Sequence, residues 1–180
     1  MRKLLVILMT LMLSGCASVR YNRLAKTEQP KLDPAGSAYV LIPANAMYFT
    51  KECIGSGKAI GNLIYSSFSK HLKRIEMASE GEKLNDGLKK AKDVGFTYLI
   101  DSKIARWEDR ATEWNGMWDI IDMQMDILDV QSNKLVDSVE FLGHGTWVTF
   151  GGYHPQNIVR YEIPDYVASL FPVDTNQEMK

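Results

Sequence analysis

The sequence predicts an α+β domain. It is expected to form one mixed five-stranded sheet of order 2-1-3-4-5, ending in an antiparallel meander, with helices packed on one face. Three observations lead there. Ile60, Leu63, Ile64, Phe68, Leu72 and Ile75 recur at the 3.6-residue period of a helix. Ile121, Met123, Met125 and Ile127 instead alternate with Asp122, Gln124 and Asp126, the period of a strand with one wet face. Between two extended runs stands Asn115-Gly116, a pair suited to a type I′ hairpin because both of its residues tolerate positive φ.

The elements follow in order. Ala38 to Ile42 is a short apolar run stopped by Pro43, consistent with a buried strand. Ser56 is placed to cap the first helix, and a brief strand near Ile75 to Ala78 follows it. A second helix carries Leu84, Leu88 and Ala91 on one face and stops at Gly95. Phe96 to Arg110, Trp118 to Val130 and Leu135 to Val148 form the meander. Pro164 opens a last short helix to Phe171 that turns Tyr166, Val167 and Leu170 inward. Right-handed crossovers make the first three strands parallel neighbours, and the polar face of the fourth looks at water. A two-residue turn at Asn115-Gly116 would set Glu108 and Arg106 opposite Met123 and Met125. A one-residue bulge that brings Trp107 beside Met123 and Ala105 beside Met125 is therefore predicted.

Ahead of the domain, Arg2 and Lys3 precede an apolar run from Leu4 to Leu13, and Ser14-Gly15 are small. That is the order of charge, hydrocarbon and small residues in a secretory signal. The run is about half of what a membrane-spanning helix needs. Leu13-Ser14-Gly15-Cys16 resembles the lipobox of bacterial lipoproteins, which implies cleavage before Cys16 and acyl chains on its sulfur and amine. Two or three chains make attachment effectively permanent. Ala17 and Ser18 stand where an aspartate would signal inner-membrane retention, so the resemblance implies an outer-membrane protein facing the periplasm. The expected organisation is a signal peptide over 1–15, a lipidated cysteine and polar tether over 16–36, one α+β domain over 37–172, and a disordered tail over 173–180. The tether reading rests on Pro30, Pro34, Gly36 and the scarcity of aliphatic residues.

Removal of residues 1–15 leaves about 165, enough for one domain with a real core. The chain carries a net charge of −1 at pH 7, and loss of Arg2 and Lys3 makes it more negative, which gives no footprint for nucleic acid. With Cys16 acylated, Cys53 has no internal partner and reads as a small buried hydrophobe, or less plainly as half of a mixed disulfide. "CIGSGKAI" departs from a phosphate loop at Glu52 and Ala59, where glycine and serine or threonine are required; a loop ending in a helix cap explains it, with amides that an anion could still visit. His71, His144 and His154 lack metal-site spacing, and no Gly-x-Ser-x-Gly occurs. Neither a metal, a catalytic residue nor a cofactor beyond the acyl chains is expected.

The most informative segments are "RWEDRATEWNGMWD" and "GTWVTFGGYHP", which the meander should bring to one sheet end. Trp107, Trp114, Trp118, Trp147, Phe150 and Tyr153 would gather there with Arg106, Glu108, Asp109, Arg110 and Glu113. Tryptophans covering a sheet end while charges pair across strands is the plainer account. A binding patch of the aromatic and arginine type is the sharper one. "YLIDSKIARWEDRATEWNG", "DMQMDILDVQSNKLVDS", "WVTFGGYHPQ" and "YVASLF" together resemble the bacterial lipoprotein family of domain of unknown function 4823, over roughly Ala38 to Phe171. The element order is similar to the amino-terminal domain of TolB and to periplasmic lipoproteins that activate cell-wall synthases, as an analogy of fold only. The resulting expectation is a non-catalytic binding or accessory module of the envelope, engaging a protein or cell-wall polymer. The rivals are an envelope hydrolase using His144 or His154 with nearby carboxylates, and a structural subunit of an envelope assembly.

Overall fold

The computed structural model describes residues 18–25, 28–109, 117–145 and 154–172. Strand β1 (Ser18–Arg23) is followed by β2 (Ser37–Val40), a small hairpin of β3 (Met47–Tyr48) and β4 (Lys51–Glu52), and helix α1 (Ser56–Phe68). Strand β5 (Arg74–Met77), helix α2 (Leu84–Val94) and the long strands β6 (Tyr98–Glu108), β7 (Ile120–Asp129) and β8 (Lys134–His144) come next. Two short helices, α3 (Pro155–Ile158) and α4 (Glu162–Ser169), close the described chain. No helix among the described residues is long and apolar enough to cross a membrane.

The main sheet has six strands in the order β1-β8-β7-β6-β2-β5. β5, β2 and β6 are parallel, and β6, β7, β8 and β1 are antiparallel. The five strands predicted from sequence keep the expected order. The sixth, β1, comes from the stretch expected to be a tether, and its pairing with β8 from Ser18–His144 to Arg23–Val139 corrects that reading. Composition hid the strand because, beside Val19 on the main core and Tyr21 against Phe141 and Tyr166, an ionic network joins it to the domain. Arg23 donates from Nε and Nη2 to Asp137 Oδ2 and Oδ1 at 2.9 and 2.8 Å. Asp137 is fully buried and also accepts the Tyr166 hydroxyl (2.8 Å) and the Ser138 amide (3.0 Å). Burial, and then the Asp137 carboxylate, push the Tyr166 phenol well above its ordinary value. Farther along, Leu32 is buried, and its amide donates to the Leu170 carbonyl at 2.7 Å.

Helices lie on both faces of the sheet, not on one. Successive strand residues point to opposite sides, and β2 divides accordingly. Ala38 and Val40 enter the main core with α1, α3 and α4, whereas Tyr39 and Leu41 join a smaller core with Phe96, Leu99 and Ala91 of α2. The apolar positions of α2 were legible as one face, but the face of the sheet they would meet was not. Gly95 stops the helix at φ 81°, a conformation favouring glycine. In β7 the alternation holds, with Ile121, Met123, Met125 and Ile127 all buried in the main core. The other face of β7 is half-buried by its own polar neighbours: Asp126 accepts Ser138 Oγ at 2.5 Å and Gln124 Nε2 at 2.9 Å, and Asp101 stands directly across from it.

A bulge does interrupt β6, between Ile104 and Arg106, but the predicted one would lie between Trp107 and the turn, and the register differs as well. Trp107 pairs with Ile121, Ile104 with Met123 and Ser102 with Met125. The Asn115-Gly116 pair lies outside the described residues. Two helix starts also shift. α1 begins at Ser56 behind Gly55, and α4 begins at Glu162 with Pro164 inside its first turn. Tyr166, Val167 and Leu170 are buried as predicted.

Candidate functional site

An open groove of about 560 Å³ lies at the end of the sheet where β6 finishes. Its walls come from three places. Trp107 and Asp109 arrive at the end of β6; Tyr48, Lys51, Glu52, Cys53 and Ile54 come from the β3–β4 hairpin and the loop after it; His154 and Gln156 come from the start of α3. The floor is the first turn of α1, through Ser56 and Ala59.

The loop before α1 is held from within. Asn45 Oδ1 accepts the Gly55 and Gly57 amides at 3.1 Å each, so this carboxamide caps the helix in place of Ser56. Ser56 Oγ instead accepts the Ala46 amide at 2.8 Å. Two of the amides left open to an anion by the sequence reading are thus occupied. At Gly57 the chains touch: a Cβ there would stand 2.1 Å from the Pro43 carbonyl oxygen, so only glycine lets helix and loop approach. Cys53 is a free thiol, half-buried rather than fully buried, between the main core and the groove.

At the mouth, His154 Nδ1 and Asp109 Oδ2 are 2.9 Å apart, with both side chains about half exposed. A solvated pair of this kind adds little stability, so its geometry is available for recognition or proton transfer. His144 stands elsewhere, stacked on Trp118 with ring centroids 4.7 Å apart and planes within 18°. His71 stacks on Phe171 at 4.7 Å, and burial, with Lys70 second, holds its imidazole below the ordinary value. Among the described residues no three His, Cys, Asp or Glu side chains form a group able to hold a metal ion.

The predicted patch is divided by the strand it rides on. Trp107 and Asp109 line the groove, on the main-core side. Arg106 and Glu108 point to the other side, where Arg106 Nε meets Glu108 Oε1 at 2.5 Å and that carboxylate raises the guanidinium's proton affinity. There, burial lifts the Asp122 carboxyl above its usual range, against the pull of Arg106. Trp118 stands exposed beside His144. Arg110, Glu113, Trp114, Trp147, Phe150 and Tyr153 lie outside the described residues, as does Cys16. The sequence reading missed Tyr48, Lys51, Ile54 and Gln156. The one available signal was Ile54, an aliphatic residue set before Gly55-Ser56-Gly57, where a solvated loop would place none.

Solved structures similar to this chain include two crystal forms of the PelC dodecamer from Paraburkholderia phytofirmans. One aligns with a TM-score of 0.62 at 14% identity, covering 86% of this chain and 99% of that one. A second aligns at 0.60 and 14%, covering 86% and 96%. Lipoprotein GNA1162 from Neisseria meningitidis aligns at 0.48 and 9%, covering 80% and 98%. For the PelC chains, an identity this low shows a shared fold and nothing finer. No curated protein matches the chain. The sequence itself matches the family described as Domain of unknown function (DUF4823) over residues 30–170, which takes in the whole lining of the groove and every strand of the main sheet but β1, and the chain belongs to that family.

Proposed function

We propose that this chain is an exported, lipid-anchored module of the bacterial envelope, held at the outer membrane and facing the periplasm, that binds an envelope protein or cell-wall polymer in the groove at the sheet end. The groove carries the reading. Its volume falls in the range of ligand sites, and it combines two aromatic walls, Tyr48 and Trp107, with Lys51, Glu52, Asp109, His154 and Gln156 as polar groups. The lipobox at Leu13 to Cys16 supports the location. A photoreactive residue replacing Gln156 in living cells is expected to capture a discrete envelope partner, while the same residue at Leu135, far from the groove, captures none. Equal capture from both positions would remove the groove as the binding site.

A hydrolase draws support from one observation, an Asp109–His154 pair that lines the same groove as Cys53. In that reading Asp109 orients the imidazole and Cys53 or a water is the nucleophile. Hydrolysis of ester or muropeptide probes by the purified domain, lost in His154→Gln, would establish it, and loss in Cys53→Ala as well would make the thiol rather than a water the nucleophile. The PelC chains of the same fold are dodecamers, which supports a structural-subunit reading; an elution volume of several copies for the domain without its lipid would favour that account.

A further inference from the structure

We infer that the end of the sheet where β6 and β8 finish rests on the bilayer itself, with Phe49, Ile54, Met117 and Trp118 seated among the lipid headgroups. This rests on the proposed acylation of Cys16, and it follows from where the chain between anchor and fold ends. Ser18 is already the first residue of β1, two residues from Cys16. At roughly 3.5 Å per residue the chain can separate the two by only about 7 Å. The polar stretch expected to hold the domain away from the membrane is mostly built into the domain instead.

The anchored end is identified by strand register. Ser18 pairs with His144, and His144 pairs with Ile120, so the start of β1, the exit of β8 and the start of β7 share one row. Glu108 at the exit of β6 also pairs with Ile120. An acylated Cys16 therefore brings this row to the membrane. It is the row from which Trp118 and Met117 project and beside which the groove opens.

The side chains at this end suit that position. Ile54 and Phe49, at 88% and 85% exposure, are the most exposed large apolar residues among the described ones. Met47, Met117 and Trp118 are also exposed. Phe49 lies against Tyr48, a groove residue, with ring centroids 4.7 Å apart. Its φ of 52° is uncommon for a residue with a side chain, and it holds the ring outward at the hairpin tip. Exposed aromatic and aliphatic groups at a polar rim are what a membrane interface accommodates. The acyl chains supply the affinity, and these side chains set the orientation. The groove then opens beside the headgroups, and its occupant is one presented at the membrane surface.

The test uses the full-length acylated protein in vesicles of phosphatidylethanolamine and phosphatidylglycerol. In a Cys53→Ser background, Phe49→Cys, Ile54→Cys and Leu135→Cys each carry a polarity-sensitive fluorophore. Leu135 lies about 30 Å away, at the far end of β8. Blue-shifted emission, with several-fold stronger quenching by nitroxide-labelled headgroups at 49 and 54 than at 135, is the expected result. Acyl mass on the amino-terminal peptide is read from the same sample. Acylated protein whose labels at 49 and 54 remain in water overturns the orientation alone; protein without acyl mass overturns the anchor and the orientation together.

Discussion

Arg23–Asp137 and Asp109–His154 both join residues distant in sequence, and they sit in opposite surroundings. At Asp137 the carboxylate is wholly enclosed, and an arginine, a tyrosine hydroxyl and a backbone amide occupy it. At Asp109 both partners stand half in water at the mouth of a groove. The first pair cannot lose a member without stranding a buried charge, so it belongs to the fold. The second contributes little to folding, and its arrangement is free to serve a ligand. Similar chemistry thus does different work according to how much water reaches it.

The contrast breaks most visibly at Arg23. Arg23→Ala is expected to lower unfolding free energy by about 3–5 kcal/mol by leaving Asp137 enclosed and unpaired, read by urea denaturation. A loss under about 1 kcal/mol would mean that β1 is not held through this pair. Tyr166→Phe removes one donor to the same carboxylate and should lower stability by about 1.5–3 kcal/mol. Gly57→Ala drives a methyl group against the Pro43 carbonyl, at about 1–3 kcal/mol, and should weaken ligand capture along with stability because the groove floor shifts.

Titration sharpens the same comparison with a smaller effect. The native His71 value is depressed, so the folded state favours the neutral ring. Its contribution is present above the unfolded value of about 6.5 and is lost as pH falls through the lowered native value. Asp101 and Asp122 run the other way. Burial raises both, so stability falls as pH rises from the ordinary carboxylate range through their native values. Asp122→Asn should raise stability at pH 7 and His71→Gln should flatten the slope near pH 6, both followed by thermal melts across pH 4 to 8.

Much of this fold was legible because apolar spacing reports it directly. The period of α1, the alternation of β7 and the stop at Gly95 each express a local rule, and right-handed crossovers made β2, β5 and β6 parallel neighbours. β1 was not legible, because Arg23 looks like a solvated cation until Asp137, far along the chain, is seen to be buried. The side of the sheet taken by α2 was equally hidden, since Tyr39 and Leu41 form a core only where Phe96 and Ala91 meet them. At the site, Trp107 and Asp109 were found from composition. Their separation from Arg106 and Glu108 required only strand alternation, which the one-patch reading set aside. The hairpin wall around Tyr48 and Ile54 left almost no sequence signal, since its two strands span only two residues each.

The division between a structural pair and a functional one is tested most directly at its weaker end, by stability and in-cell partner capture measured together on Asp109→Asn/His154→Gln. The account predicts unfolding free energy within about 0.5 kcal/mol of the parent, with capture from position 156 abolished. Capture at the parental level, or a domain that no longer folds, would contradict it.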